Sequence, residues 1–122
     1  MDTKLLGRFG EEQAANYLKK KKYKILGLNF SCRFGEIDII AENREYLAFV
    51  EVKLRKNSVF AQAKEFVSYQ KQQRIISAAQ LWLASNYTDK QPRFDVIEIY
   101  APLGDRGEIK LNHIENAFEV II

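Results

Sequence analysis

The stretch Arg33–Lys56 places charged side chains inside two apolar runs, and this pattern most constrains how the chain can fold. The polar residues Asn43–Glu45 separate the two runs, which predicts a β-hairpin rather than a helix. With the turn centred on those residues, antiparallel pairing sets Asp38 opposite Val50 or Glu51. Opposed side chains on one face of a sheet lie roughly 5 Å apart. At that separation two carboxylates can share one cation.

Alternation decides which side chains share a face of each strand. Glu36 and Asp38 lie on one face of the first strand, while Glu51 and Lys53 share a face of the second. Carboxylates among apolar neighbours destabilise a fold unless they are paired, hydrogen-bonded or bound to an ion. Hard divalent cations such as Mg²⁺ bind carboxylate and carbonyl oxygens, and an adjacent ammonium can orient water or stabilise charge on a phosphate. The hairpin therefore predicts a cation site suited to phosphate chemistry.

The order Asp38, then Glu51, any residue and Lys53 resembles the signature of PD-(D/E)xK nucleases. Ile37 stands where the name of the motif has proline, and this departure removes no ligand. Five longer segments resemble a small bacterial family of endonuclease-like proteins, the YraN-like family, which is distantly similar to archaeal Holliday junction resolvases. They are GRFGEEQAANYL, NFSCRFGEIDII, FVEVKLR, KQQRIISAAQLWL and RFDVI, and they span nearly the whole chain.

The resemblance implies an α/β fold with a restriction-endonuclease-like core, in which helices flank a mixed central β-sheet in the order αβββαβ plus a short C-terminal strand. It implies a catalytic set of Asp38, Glu51, Lys53 and Glu11. Asp38 and Glu51 would bind Mg²⁺, with Mn²⁺ as a substitute. The Val52 carbonyl and Glu11 would complete the ligands, and Lys53 would orient or help deprotonate water. The expected activity is hydrolysis of DNA phosphodiester bonds, with branched, Holliday-junction-like DNA as one expected substrate.

A non-catalytic nucleic-acid-binding module on the same fold is the main competing hypothesis, because the motifs do not reveal a substrate. A third possibility is that the acidic cluster is only structural. Two acidic positions also keep two interpretations each. Glu11 lies on the edge of the buried face of the first helix, and it is either a ligand of the site or a plain helix carboxylate. Glu36 either tunes the Lys53 ammonium or belongs to a salt bridge at the strand edge.

Composition narrows the class of protein. With 122 residues, 47% of them hydrophobic and 29% charged, the chain predicts a single globular domain over residues 1–122. It contains no apolar run of about 18 residues that could span a bilayer. The start, MDTKLLGRFGEE, lacks the apolar core of a secretory signal, and Cys32 is the only cysteine. These features predict a cytoplasmic protein and exclude an internal disulfide.

The formal net charge of +3 fits an anionic partner, although the distribution of the cations matters more than their sum. Basic residues that flank the hairpin or lie on the second predicted helix are expected to contact DNA phosphates: Arg33, Arg55, Lys56, Lys71 and Arg74. A solvated basic rim is the alternative. A homodimer is also expected, because branched DNA presents two related strands that paired sites can address.

Periodicity locates the remaining elements. Apolar residues at helical spacing predict helices over about Lys4–Lys21 and Lys64–Asn86. Tyr23–Phe30 and Arg93–Tyr100 have the composition of strands, and a short last strand is expected around Ile109–Ile114.

Two further residues, Asp95 and His113, have ionisable side chains. Asp95 could approach the predicted catalytic carboxylates, but holding Arg93 or a helix terminus in place is the preferred interpretation. His113 is expected at the surface or as a capping group, because no second histidine accompanies it.

Overall fold

The computed structural model describes residues 3–55 and 67–119, with side chains from residue 5 onward. Within these ranges the chain forms two α-helices, five strands and one short 3-10 helix. In chain order they are α1 (Thr3–Lys20), β1 (Lys24–Cys32), β2 (Gly35–Glu42), β3 (Tyr46–Arg55), α2 (Tyr69–Ser85), β4 (Gln91–Tyr100), the 3-10 helix (Gly104–Arg106) and β5 (Lys110–Phe118). None of the helices in these ranges is long and apolar enough to cross a membrane.

The five strands form one sheet in the order β1-β2-β3-β4-β5. β3 and β4 pair parallel, and the other neighbours pair antiparallel. A parallel pair needs a long crossover, and α2 lies in the connection from β3 to β4. This arrangement confirms the predicted mixed α/β fold and its αβββαβ order. The last strand is longer than the predicted Ile109–Ile114, because β5 continues to pair with β4 as far as Phe118 opposite Phe94.

The predicted hairpin of β2 and β3 is present, and one side chain holds its turn. Asn43 Oδ1 accepts hydrogen bonds from the backbone N–H groups of Glu45 and Tyr46, at 3.0 and 2.8 Å. An Asx turn of this kind stabilises a tight reversal of the chain. Because the turn sets the offset between the strands, it also sets which residues of β2 lie opposite which residues of β3.

The sheet separates two hydrophobic cores. On one face, Ala14 and Leu18 of α1 pack against Ile39, Val50 and Ile97 of the three central strands. These residues are almost fully buried.

The opposite face is covered by α2. Ile75 and Ala79 of this helix pack with Phe49 of β3 and Phe94 of β4. Trp82, which periodicity assigns to the buried side of the helix, packs edge-on against Phe49 with ring centroids 5.9 Å apart. Both faces of the central strands are therefore buried, as a parallel pair requires.

α1 closely matches the helix predicted from periodicity. It approaches the sheet where Gly10 meets Leu54 of β3: a Cβ on Gly10 would lie only 2.9 Å from Leu54 Cδ2. The missing side chain therefore allows the helix to lie close to the sheet, directly before Glu11.

α2 begins at Tyr69, later than the predicted Lys64, and residues 64–66 lie outside the described part of the chain. Ser68 is its N-cap, and the Ser68 hydroxyl accepts a hydrogen bond from the Lys71 N–H at 3.1 Å. The cap determines where the helix starts, which apolar periodicity alone does not reveal. It also places Lys71 in the first turn.

Asp95 on β4 is fully buried and joins β4 to β5 through an ionic network. Arg93 donates to both of its carboxylate oxygens, at 2.8 Å each, and the Asn116 N–H donates at 3.0 Å. His113 Nε2 lies 2.8 Å from Asp95, and His113 Nδ1 lies 3.1 Å from the Tyr17 hydroxyl. The preferred interpretation of Asp95 is confirmed. The surface position expected for His113 is wrong, because both ring nitrogens have partners and the side chain is only 5% exposed.

The network sets the ionisation of Asp95. Burial alone would raise the pKa of this carboxyl, but hydrogen bonds from His113, Arg93 and the Asn116 N–H outweigh burial and hold the pKa below its ordinary value. A carboxyl with a lowered pKa stabilises the fold above its ordinary pKa, and this stabilisation is lost as the pH falls through the folded-state pKa.

We predict that Asp95→Asn lowers the free energy of unfolding at neutral pH by about 3–5 kcal/mol, because it leaves the Arg93 guanidinium buried beside a neutral group. The deficit should shrink as the pH falls below about 4. Urea denaturation at a series of pH values measures both effects. Glu115→Gln is the matched control: Glu115 also faces Arg93, at 3.6 Å, but is 61% exposed, so its loss should cost less than about 1 kcal/mol. Equal losses in the two variants would contradict the assignment.

Candidate functional site

Asp38 and Glu51 meet where the ladder between β2 and β3 ends. The ladder sets Ile39 opposite Val50, so the next position brings Asp38 beside Glu51, one of the two alternatives left open by the sequence. Asp38 is 8% exposed and Glu51 is 6% exposed. Beyond the ladder, the Asp38 side chain provides the acceptor that a backbone carbonyl of β2 would otherwise provide. Its Oδ2 accepts a hydrogen bond from the Val52 N–H at 2.8 Å. Two buried carboxylates are therefore neighbours on adjacent strands.

The alternation of β2 breaks immediately before Ile39. Ile37 and Ile40 belong to the core under α2, whereas Ile39 belongs to the core under α1. Regular alternation would place Ile37 with Ile39, so the strand departs from a regular pleat at Asp38. The departure coincides with the end of the ladder, where the Asp38 carboxylate takes over the connection to β3.

A cavity of about 310 Å³ opens between the hairpin and α2. Glu36, Asp38 and Glu51 line it from the sheet, and Lys71 and Arg74 line it from the helix. The Lys71 ammonium forms a salt bridge with Glu51 Oε1. The KQQR segment in the first turns of α2 therefore lies at the acidic pair.

Asp38 is the electrostatically unfavourable member of the pair. Burial and the charge of Glu51 raise the pKa of the Asp38 carboxyl from 3.8 to about 7, with smaller contributions from Glu11 and Glu36, against the lowering effect of the Val52 N–H. A carboxyl perturbed by burial together with a specific charged neighbour in a cleft is typical of functional sites.

Glu11 approaches the acidic pair from α1. Its Oε2 accepts a hydrogen bond from Asn29 Nδ2 at 3.0 Å, and Asn29 has a left-handed backbone with a φ of 53°. Glu11 contributes to the raised pKa of Asp38, but it does not line the cavity that Asp38 shares with Glu51. Asn29 was not singled out from the sequence, although an asparagine inside an otherwise apolar strand is a signal for this backbone conformation.

Lys53 follows Glu51 on β3, and its Cα pairs with that of Glu98 on β4. Lys53 lies outside the lining of the cavity. Glu98 is fully buried, accepts a hydrogen bond from Asn112 Nδ2 at 3.0 Å and lies 3.6 Å from Arg55 Nε. Sequence patterning assigned Glu98 no role, and the structure adds it as a buried acid beside the Glu-x-Lys segment. The available signal was an acidic residue in an otherwise apolar strand.

The residues predicted to bind phosphate are dispersed. Arg33 is exposed between β1 and β2, and Arg55 is the last residue of β3. Lys71 and Arg74 line the cavity, and Lys56 lies outside the described residues. The packing of α2 on the sheet therefore brings two of the predicted residues to the acidic pair.

The acidic residues assemble as a pair. Within residues 3–55 and 67–119, no group of three or more acidic, histidine or cysteine side chains is arranged to hold a metal ion. Asp38 and Glu51 lie together, Lys71 contacts Glu51, and Glu11 does not line their cavity. The ligand set and the catalytic set expected from the sequence stay predictions.

Fold and site together define a mixed α/β protein with a restriction-endonuclease-like core and a buried acidic pair on its central hairpin. Residues 10–99, well over half of the chain, match the model of a family described as uncharacterised protein family UPF0102. The chain belongs to this family, which confirms the resemblance to YraN-like proteins.

Relatives in the family match nearly the whole chain. A UPF0102 protein of Caldanaerobacter subterraneus subsp. tengcongensis is 47% identical over 119 residues, covering 97% of this chain and 98% of its own. One of Clostridioides difficile is 44% identical over 119 residues, with 97% and 100% covered. One of Francisella tularensis subsp. novicida is 42% identical over 124 residues, with 99% and 100% covered. Their names state the family and no activity.

We predict that Asp38→Asn stabilises the metal-free protein above neutral pH. A carboxyl whose pKa is raised on folding destabilises the fold once the pH exceeds its ordinary value, here 3.8, and the penalty is complete above the folded-state value of about 7. Asparagine removes the charge and keeps an oxygen for the Val52 N–H. The gain in unfolding free energy should be roughly 2–4 kcal/mol at about pH 8 and absent below about pH 4, as measured by chemical denaturation in EDTA.

Glu36→Gln is the matched control for this measurement, because Glu36 is an exposed carboxylate in the same cavity. Its unfolding free energy should change by less than about 0.5 kcal/mol. A loss of stability in Asp38→Asn at about pH 8 would contradict the predicted repulsion and would indicate that Lys71 already balances the pair.

Proposed function

We propose that this protein is a metal-dependent endonuclease that hydrolyses phosphodiester bonds in DNA. The observation that carries the proposal is the buried pair of Asp38 and Glu51, which shares a cavity with Lys71 and Arg74. The PD-(D/E)xK resemblance and the restriction-endonuclease-like architecture support the same chemistry.

The donor atoms at the pair fit a hard divalent cation. Carboxylate oxygens are preferred ligands of Mg²⁺ and Mn²⁺. Val52 offers a third oxygen, because the N–H and C=O groups of one residue in a strand point to the same edge, and the Val52 N–H points to Asp38. Asp38, Glu51 and the Val52 carbonyl would hold the cation, and Glu11 would act from the α1 side.

The residues around the pair would have different roles in hydrolysis. A bound Mg²⁺ would supply Lewis acidity toward the phosphate and lower the pKa of the attacking water. Lys53 lies on the same face of β3 as Glu51 by alternation, and its ammonium would orient that water. Lys71 and Arg74 would hold the phosphate, since both line the acidic cavity.

Branched DNA is the proposed substrate. The similarity to Holliday junction resolvases supports it, and the net charge of +3 is compatible with a polyanionic partner. Arg33, Arg55 and Lys56 would add phosphate contacts beside the hairpin. A homodimer that presents two such sites stays a prediction.

A nucleic-acid-binding module without catalysis is the second candidate function. It is favoured by the arrangement of the acids, which form a pair rather than a three-ligand group in the part of the chain that the structure describes. The salt bridge between Lys71 and Glu51 favours it as well, because it neutralises one of the two carboxylates. In such a module the basic residues would bind phosphate and the acids would only shape the fold.

We predict that the wild-type protein cleaves a labelled four-way DNA junction in Mg²⁺ or Mn²⁺ and not in EDTA. Asp38→Asn and Glu51→Gln should each lower the rate by about 100-fold or more, because each removes a cation ligand. Lys53→Ala should lower the rate by about 100-fold or more while Mn²⁺ binding is retained. Denaturing gels measure cleavage, circular dichroism verifies folding, and Mn²⁺ calorimetry measures metal binding.

Glu12→Gln is the control for cleavage, because Glu12 is exposed on α1 and has no part in the proposed site. Saturable Mn²⁺ binding that disappears in Asp38→Asn would support the metal centre. If the wild type binds the junction but no Mn²⁺, and Asp38→Asn keeps the same junction affinity, the binding module is the correct function and the nuclease is not.

A further inference from the structure

We infer that the Lys71 ammonium occupies the cation position of this site in the metal-free protein, so that a divalent cation must displace it from Glu51. The inference rests on the proposed function, because it describes how the metal centre of that nuclease is kept closed and then loaded. The displaced ammonium remains in the cavity, where it binds a phosphate oxygen of DNA.

The salt bridge joins a buried group to a half-exposed one. The Glu51 side chain is 7% exposed, whereas the Lys71 side chain is 41% exposed. The hydrogen bond from the Lys71 N–H to Ser68 Oγ fixes the backbone of the first turn, but the four-carbon lysine side chain is flexible. The ammonium can therefore leave Glu51 while α2 stays in place.

The Lys71 ammonium neutralises only one of the two carboxylates, that of Glu51. Glu51 has Lys71 as its partner, while Asp38 accepts from the Val52 N–H and faces the charge of Glu51. A divalent cation between the two carboxylates would neutralise both. A metal ion and the Lys71 ammonium cannot both lie against Glu51, because like charges a few ångströms apart repel strongly away from bulk water. Metal and Lys71 therefore exclude each other at Glu51.

The displaced ammonium has another anion to bind. Arg74 lines the same cavity one helical turn after Lys71, so the two side chains form one phosphate-binding face once the metal holds Glu51. Metal binding thus moves the Lys71 ammonium from Glu51 to a phosphate of DNA. The cavity accepts the phosphodiester group only after the cation that activates it has arrived.

The test is a calorimetric titration with Mn²⁺ at about pH 8, without DNA. Lys71→Gln removes the competing charge and should bind Mn²⁺ about 10-fold more tightly than the wild type. Arg74→Gln is the matched control: it removes the same unit charge from the same cavity, one turn away from the salt bridge, and should change the affinity by less than about 3-fold. Lys71→Arg strengthens the hold on Glu51 through its planar fork and should bind Mn²⁺ at least about 3-fold more weakly.

Equal Mn²⁺ affinities in the wild type and Lys71→Gln would overturn the displacement and leave the proposed nuclease standing. Equal gains in Lys71→Gln and Arg74→Gln would also overturn it, because they would reflect only the net charge of the cavity. If neither the wild type nor Lys71→Gln binds Mn²⁺, the proposed metal centre fails together with the displacement. Should Lys71→Gln fail to fold, Lys71→Arg decides: an affinity equal to or higher than that of the wild type would overturn the inference.

Binding of a four-way junction tests the second step of the proposal, in which the Lys71 ammonium exchanges Glu51 for a DNA phosphate. Fluorescence anisotropy, recorded before turnover, gives the affinity in EDTA and in saturating Mn²⁺. Lys71→Gln should lose about 10-fold in Mn²⁺ and less than about 2-fold in EDTA, because Glu51 holds the ammonium when metal is absent. Losses of equal size in both conditions would show an ammonium already available to DNA and would overturn the exchange.

Discussion

The hydrogen bond from the Val52 N–H to Asp38 Oδ2 is the contact on which the arrangement of the site depends. The backbone ladder between β2 and β3 ends at Ile39 and Val50, and beyond it a side chain continues the connection. Because this bond turns Asp38 toward β3, the carboxylate of Glu51 becomes its neighbour. One hydrogen bond therefore extends the connection between the strands beyond the ladder and brings two like charges into a buried site.

The parallel pairing of β3 and β4 is the constraint that places a basic side chain at this site. α2, which lies in the connection between these strands, covers the face of the sheet that carries Phe49. Ile75 supplies apolar contact from the helix, while Lys71 in the first turn forms a salt bridge with Glu51. The same crossover that the topology requires thus closes a core and places a basic group at the acidic pair.

Local patterns predict the hairpin and the acidic pair, because alternation and turn chemistry are encoded in neighbouring residues. They do not predict the contact between Lys71 and Glu51, which depends on how α2 docks after the crossover. His113 shows the same limit. Its partners Asp95 and Tyr17 come from β4 and α1, so a lone histidine in a polar stretch suggests exposure although the folded chain buries it.

The two buried aspartates meet opposite environments. Asp95 receives hydrogen bonds from Arg93 and His113, which lower its pKa and make its charge stabilising. Asp38 lies beside Glu51, which together with burial raises its pKa and makes its charge destabilising. A ligand that binds only the folded state stabilises that state by mass action, and a divalent cation at Asp38 would do so where the protein alone does not. The fold therefore pairs the charge of Asp95 with its own residues, whereas the unfavourable charge of Asp38 lies where the proposed chemistry needs an ion.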